Sequence, residues 1–169
     1  RLKKMGAIFV DELDEVPDDR PVVFSAHGVP KSVPASARER ALTYVDATCP
    51  LVSKVHRQAE RLIEDGMHIL FVGHGGHPEV IGTFGQVPEG SITLIETVDD
   101  AMSIEIANPE RVAFLTQTTL SVDDTAAIVE AMGIEVAVRT DPTRRGKGYA
   151  LEFGVRHLAN NPPDVVVIL

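Results

Sequence analysis

The sequence of 169 residues contains one cysteine and no tryptophan, and only 5% of its residues are aromatic. A single cysteine excludes an internal disulfide, and with it the class of small secreted proteins that disulfides hold together. Basic residues are also scarce, since 16 Lys and Arg stand against 25 Asp and Glu and give a net charge of −9. This acidic balance argues against a broad nucleic-acid or anionic-membrane surface, so a bound anion must be held by a few local groups.

Long apolar runs are missing too. No run approaches the roughly 18 residues of a membrane span, and the first residues, Arg1 to Gly6, lack the apolar stretch of a signal peptide. We therefore expect a cytoplasmic protein without membrane or nucleic-acid partners. The chain begins without Met and ends on a strand-like run, Asp164 to Leu169, so we also expect it to be a piece of a longer protein.

Apolar runs typical of buried strands alternate with stretches of helical periodicity. The clearest strand is His68 to Val72, and the clearest helix runs from Pro50 to about Glu64 with its apolar residues on one face. This alternation predicts a three-layer α/β/α fold with mostly parallel sheets. Further strands are predicted at Pro21 to Ser25, near Tyr44, at Ile92 to Ile95 and at Val112 to Leu115, and further helices at Ser32 to Ala41 and Thr125 to Met132.

Polar residues of chemical interest follow four of these strands. They are His27, Cys49, a glycine-rich loop from Gly73 to Glu79, and Thr118 within a run of hydroxyl side chains. In parallel α/β sheets, ligands bind outside the carboxyl ends of the strands. We therefore expect these four segments to face one crevice.

Cys49 lies next to Pro50, which suits the first position of a helix, and Thr48 is the predicted N-cap. Backbone N–H groups and the helix dipole favour a negative thiolate at such a place, which suits metal ligation. A small buried apolar residue is the alternative for an isolated cysteine. His56, two helical turns further on, is predicted to serve packing or the surface.

The loop from Gly73 to Glu79 carries the second signal. Its glycines let the backbone approach a ligand, its histidines suit phosphate oxygens, and Glu79 is placed to move a proton. An ordinary strand-to-helix turn is the alternative, and for His27 it is a plain turn residue. The hydroxyl groups from Thr116 to Ser121 suit an oxygen-rich ligand or a helix cap.

Four motifs, in order and spacing, resemble the LytB family of hydroxymethylbutenyl diphosphate reductases over about residues 1–125. The motifs are Phe24 to Val29, Asp46 to Val52, Gly73 to Thr83, and Thr116 to Thr125. The resemblance implies α/β domains around a 4Fe-4S cluster. It also implies removal of a hydroxyl group from an allylic diphosphate in non-mevalonate isoprenoid synthesis, with electrons from a donor such as ferredoxin or flavodoxin.

The resemblance also implies a role for each motif residue. Cys49 matches one of three cluster ligands, and His27 and His77 match diphosphate-binding histidines. Glu79 matches the acid that relays protons to the substrate hydroxyl, and Thr118 matches the threonine that hydrogen-bonds near that hydroxyl. The other two cluster cysteines have no match in this sequence, so we expect the chain alone to be inactive.

The end of the chain resembles a different family. Over about residues 123–169 the sequence is similar to part of a family-two glycosyltransferase of the nucleotide-sugar-binding type, on motifs that lie between Arg139 and Leu169. We expect a partial first α/β domain over residues 1–48, a second α/β domain over 49–122, and a divergent tail over 123–169. A nucleotide-sugar glycosyltransferase fragment is therefore the alternative function.

Overall fold

The computed structural model describes residues 1–133, 143 and 147–159. In these ranges, five short strands alternate with six helices, and three short 3-10 helices lie at Leu2–Met5, Leu13–Glu15 and Pro109–Arg111. The strands are β1 (Val22–Phe24), β2 (Tyr44–Asp46), β3 (His68–Val72), β4 (Ile92–Ile95) and β5 (Val112–Thr116). The helices are α1 (Ser32–Glu39), α2 (Pro50–Glu64), α3 (Pro78–Phe84), α4 (Val98–Ser103), α5 (Val122–Ala131) and α6 (Lys147–Leu158).

The strands form two sheets, and every strand pair is parallel. In the first sheet β1 pairs with β2, and in the second β3 lies between β4 and β5. Parallel neighbours need a crossover connection, which α1 provides between β1 and β2 and α3 between β3 and β4. The segment with α4 leads from β4 across β3 to β5, and α2 connects the two sheets. The predicted α/β class with parallel sheets is confirmed.

The second sheet is covered by helices on both faces, and alternate side chains of β3 pack against the helices of one face or the other. Ile69 and Phe71 belong to a core cluster with Ala59 and Leu62 of α2 and Val80 of α3. The neighbouring β3 residues belong to a second cluster on the opposite face, with α4 and α5; its buried members are Leu70, Val72, Ile95, Ala101 and Ile128. This part of the chain is therefore built in the predicted three layers.

The first sheet is covered by described residues on one face only. Phe24 packs with Ala37 of α1 and with Leu42 in a third cluster. Val23 and Val45, which are paired in the sheet, remain 66% and 58% exposed. Parallel sheets are usually covered on both faces, so the exposed face of this two-stranded sheet is unusual.

Contacts within the first sheet and between the two sheets hold the carboxyl ends of the strands together. Within the first sheet, the backbone N–H of Cys49, three residues after β2, donates to the carbonyl of Ala26, two residues after β1, over 2.8 Å. Gln86, just after α3, donates its side-chain amide to the carbonyl of Val29 over 2.8 Å. Lys31 and Glu60 form an ion pair between the turn after β1 and α2. The strand ends that carry the candidate residues therefore belong to one continuous region.

The structure refines the predicted boundaries. Helix α1 ends at Glu39 rather than Ala41, and α5 starts at Val122, three residues before the predicted start. The predicted domain boundary at residue 122 falls at the first residue of α5, whose Ile128 belongs to the second core cluster. Residues 134–142, 144–146 and 160–169 of the tail similar to a glycosyltransferase lie outside the described residues. Among the described ranges, no helix has the length and apolar character of a membrane span.

Candidate functional site

The imidazoles of His27 and His77 lie next to each other at the carboxyl ends of β1 and β3. Their ring centroids are 5.4 Å apart and the rings are nearly perpendicular. His27 is exposed and His77 is partly buried. Two ring edges at this distance can both donate to one bound anion. The strand-end rule therefore predicted the meeting of these two side chains correctly.

The hydrogen bonds of the two histidines indicate which nitrogens are available. The backbone N–H of Glu79 donates to Nδ1 of His77 over 3.1 Å, so this nitrogen acts as an acceptor and caps α3. A neutral His77 then carries its proton on Nε2, which can donate to a ligand. In His27, Nδ1 lies 3.0 Å from the hydroxyl of Ser25, which likewise leaves Nε2 for a ligand.

Glu79 is completely buried, and its carboxylate contacts Thr118 at the end of β5. One oxygen accepts from the backbone N–H of Thr118 over 2.5 Å, and the other lies 3.2 Å from the Thr118 hydroxyl. Because His77 already caps α3, the carboxylate of Glu79 does not serve as the helix cap. Thr118 is exposed, so its hydroxyl connects the buried carboxylate to the surface.

The backbone of the glycine-rich loop is less open to a ligand than the sequence suggested. The N–H of Gly73 donates to a β4 carbonyl, and the N–H of His74 donates to Oε1 of Gln117 over 3.1 Å. The N–H of Gly75 donates to the carboxylate of Glu96 over 2.6 Å. These three donors are therefore already used within the protein, and histidine side chains are the better candidates for anion contacts.

Cys49 is itself the N-cap residue of α2, with Pro50 in the first turn. The prediction of Thr48 as N-cap is wrong, because the carboxylate of Asp46 engages both the backbone N–H and the hydroxyl of Thr48, over 2.9 and 2.5 Å. The thiol of Cys49 is partly exposed at the same strand ends as His27. In the described residues, no group of three or more His, Cys, Asp or Glu is arranged to hold a metal ion.

Two polar residues that hold the site together were missed from the sequence. Gln117 is 4% exposed and bridges the glycine-rich loop to the hydroxyl of Thr119, over 2.8 Å. Glu96 is the residue directly after β4, so the strand-end rule, applied to that strand as well, would have found it. No local sequence pattern distinguishes Gln117 from its neighbours.

Comparisons with known proteins agree on one family. Residues 1–142 match the family model described as LytB protein. The chain is 65% identical over 132 residues to a protein of Cereibacter sphaeroides (strain ATCC 17025 / ATH 2.4.3) named 4-hydroxy-3-methylbut-2-enyl diphosphate reductase. This alignment covers 78% of this chain and 41% of that protein. It is 64% identical over 170 residues to the protein of the same name from Paracoccus denitrificans (strain Pd 1222). That alignment covers 99% of this chain and 54% of the relative.

Solved structures give the same result for the fold. The structure titled as E-1-hydroxy-2-methyl-but-2-enyl-4-diphosphate reductase from Plasmodium falciparum is similar with a TM-score of 0.73 and 37% identity, over 78% of this chain and 41% of that one. The chain spans about half the length of the curated relatives that it matches. The family match extends past residue 125, where the recognisable motifs end.

Proposed function

The chain belongs to the LytB family, and we propose that it forms the diphosphate-holding and proton-donating part of a 4-hydroxy-3-methylbut-2-enyl diphosphate reductase. The observation that carries this proposal is the meeting of His27 and His77, with ring centroids 5.4 Å apart, together with the buried Glu79 and its hydrogen-bond partner Thr118. Because the chain spans about half of its relatives, the activity is proposed for the complete protein.

The reaction replaces the hydroxyl group of an allylic diphosphate by hydrogen. The carbon–oxygen bond breaks, two electrons and two protons enter, and water leaves with the former hydroxyl oxygen. One proton must reach that oxygen, since water is a far better leaving group than hydroxide. We assign this proton to Glu79, with the hydroxyl of Thr118 as the connection between the buried carboxyl group and the surface.

The diphosphate is assigned to the two histidines. His77 offers its Nε2 proton because its Nδ1 accepts from the Glu79 backbone, and His27 presents its exposed ring beside it. A hydrogen bond to a charged group contributes about 1.5 to 3 kcal/mol. Two such bonds total about 3 to 6 kcal/mol, of which association consumes a part. A net value of about 4.1 kcal/mol corresponds to about 1 mM, so we expect affinity of millimolar order for a small phosphate anion.

The 4Fe-4S cluster that the resemblance implies would deliver the electrons. Three cysteine ligands are required in that resemblance, and this chain supplies one, Cys49. The residues present therefore do not fit a complete cluster site, and no step is assigned through it. Cys49 is proposed as one ligand in the complete protein. The domain limits, the cytoplasmic location and the ferredoxin or flavodoxin donor remain predictions.

A chimera tests the proposed function. Residues 1–133 of this chain would replace the matching part of the Paracoccus denitrificans relative, and turnover of the allylic diphosphate would be measured anaerobically with a chemical reductant. We expect turnover within about tenfold of the unaltered relative. A folded chimera that carries its full complement of iron and sulfide and shows no turnover would contradict the proposal. Binding of a UDP-sugar with Mn²⁺ by the unaltered chain of residues 1–169 would instead support the glycosyltransferase alternative.

A further inference from the structure

His56 lies on α2 beneath the turn that carries His27, and the proposed function gives it no role. Gly28 follows His27 in this turn and has a φ of +80°. A Cβ added to Gly28 would lie 2.5 Å from Cε1 and 3.0 Å from Nε2 of His56. The far edge of the imidazole therefore packs directly against the Gly28 α-carbon, where only a hydrogen atom fits.

The other side of the turn is held by α3. A Cβ added to Gly82 would lie 3.1 Å from both the carbonyl carbon and the carbonyl oxygen of Gly28. The turn is thus enclosed between the His56 ring on α2 and the backbone of α3. Since α3 begins with Pro78, directly after His77, this enclosure determines where His27 lies relative to His77.

The imidazole of His56 carries a buried polar atom whose desolvation costs free energy, which a purely structural contact would not require. Its Nε2 is buried and has no hydrogen-bond partner among the described residues, which is rare in folded proteins. Burial lowers the pKa of His56, and the carboxylates of Glu60, Glu79 and Asp46 oppose this shift. Lys31 forms an ion pair with Glu60, one of these three carboxylates, so its positive charge is already neutralised by that partner. An apolar side chain would avoid the unpartnered nitrogen.

We propose that His56 is a positioning residue of the diphosphate site, which deepens and rests on the proposed function. The far edge of its ring supports the His27 turn from below and holds it where the His27 and His77 rings meet. The ring must therefore reach as far as Cε1 and Nε2, and its reach matters more than its bulk.

Three variants of this chain separate reach from stability. His56→Leu ends at Cδ, which corresponds in depth to Nδ1 and Cδ2 of the ring, so it loses the contact with Gly28 and also removes the unpartnered nitrogen. His56→Gln extends its amide to the depth of Cε1 and Nε2. His68→Leu is the matched control, because His68 is also partly buried but lies at the amino end of β3, where it bonds Thr93 over 2.8 Å.

Three measurements are made on each variant: the affinity for inorganic pyrophosphate, the thermal melting temperature, and the proton NOE between the His27 and His77 rings without ligand. For His56→Leu we expect affinity lowered about tenfold, the NOE lost and the melting temperature not lowered. For His56→Gln we expect affinity within about threefold of the original chain and the NOE kept. For His68→Leu we expect a lower melting temperature with the affinity and the NOE unchanged.

Affinity and melting temperature together distinguish positioning from ordinary packing. A positioning residue lowers the affinity without lowering the melting temperature, whereas the packing control His68→Leu lowers the melting temperature without lowering the affinity. An unchanged NOE and an unchanged affinity in His56→Leu would overturn the proposal, and so would a loss in His56→Gln as large as that in His56→Leu. If the unaltered chain does not bind pyrophosphate, the anion site of the proposed function is wrong. The NOE comparison then still decides whether His56 positions His27.

Discussion

Replacement of Glu79 by Gln should separate proton donation from every other role of this side chain. Glu79 is completely buried, and both of its carboxylate oxygens engage Thr118, over 2.5 and 3.2 Å. A glutamine keeps the shape: its Oε1 accepts from the Thr118 N–H, and its amide N–H donates to the Thr118 hydroxyl. The variant has no carboxyl proton to transfer.

The expected magnitudes differ between turnover and stability. Loss of a positioned general acid typically lowers kcat by about 10² to 10⁴, which corresponds to about 2.7 to 5.4 kcal/mol of activation free energy. Because both hydrogen bonds persist, we expect the free energy of unfolding to change by no more than about 1 kcal/mol. Glu79→Ala, in contrast, leaves the Thr118 N–H unpartnered and should cost about 1 to 3 kcal/mol before any cavity cost.

The assay uses the chimera with residues 1–133 of this chain, with steady-state turnover of the allylic diphosphate as readout. Glu79→Gln should lower kcat with little change in KM, and Thr118→Val should do the same, since it keeps the backbone N–H but removes the hydroxyl. Thr118→Ser should restore most of the turnover. Glu89→Gln, an exposed carboxylate just before β4, is the control. A kcat for Glu79→Gln within about threefold of the unaltered chimera would remove Glu79 from the reaction.

Three further predictions concern this chain alone. Gly28→Ala should lower the free energy of unfolding more than Gly76→Ala does, because both glycines have φ near +80° but only Gly28 contacts the His56 ring. The positive φ alone costs about 1 to 2 kcal/mol in either variant. Equal losses of the two variants in urea unfolding would contradict the contact with His56. Because the folded state lowers the pKa of His56 below the unfolded value of 6.5, the free energy of unfolding should fall as the pH drops below 6.5 and level off above it. The slope in urea unfolding should be smaller in His56→Gln, and an identical slope would argue against this assignment. Anaerobic reconstitution should give no stable 4Fe-4S cluster on the single Cys49, and four iron and four sulfide per monomer would refute this.

The elements with strong local patterns were predictable. Strand β3 is a continuous apolar run because both faces are buried, and α2 shows its buried face at helical spacing. Helix α4 went unnoticed because it has six residues, although Thr97 and Asp100 form a capping box that announces its start. Short helices leave too few residues for periodicity to be visible.

The candidate site was predictable as a set of strand ends but not in its contacts. The strand-end rule places His27 and His77 each at the carboxyl end of its own strand. Because β1 and β3 belong to different sheets, their meeting also depends on the packing of α3 against the turn after β1. The burial of Glu79 depends on how α3 packs against the end of β5, which no local pattern encodes. The same holds for His56, whose spacing gave its helix face but not its contact with Gly28.

The most direct test of the anion site is a titration of this chain with inorganic pyrophosphate, followed through the imidazole nitrogen resonances of its histidines. If His27 and His77 hold one diphosphate, their Nε2 signals should shift together with one millimolar dissociation constant, while those of His68, at the other end of β3, remain unchanged. Different dissociation constants for His27 and His77, or no saturable shift at either ring, would contradict a shared diphosphate site.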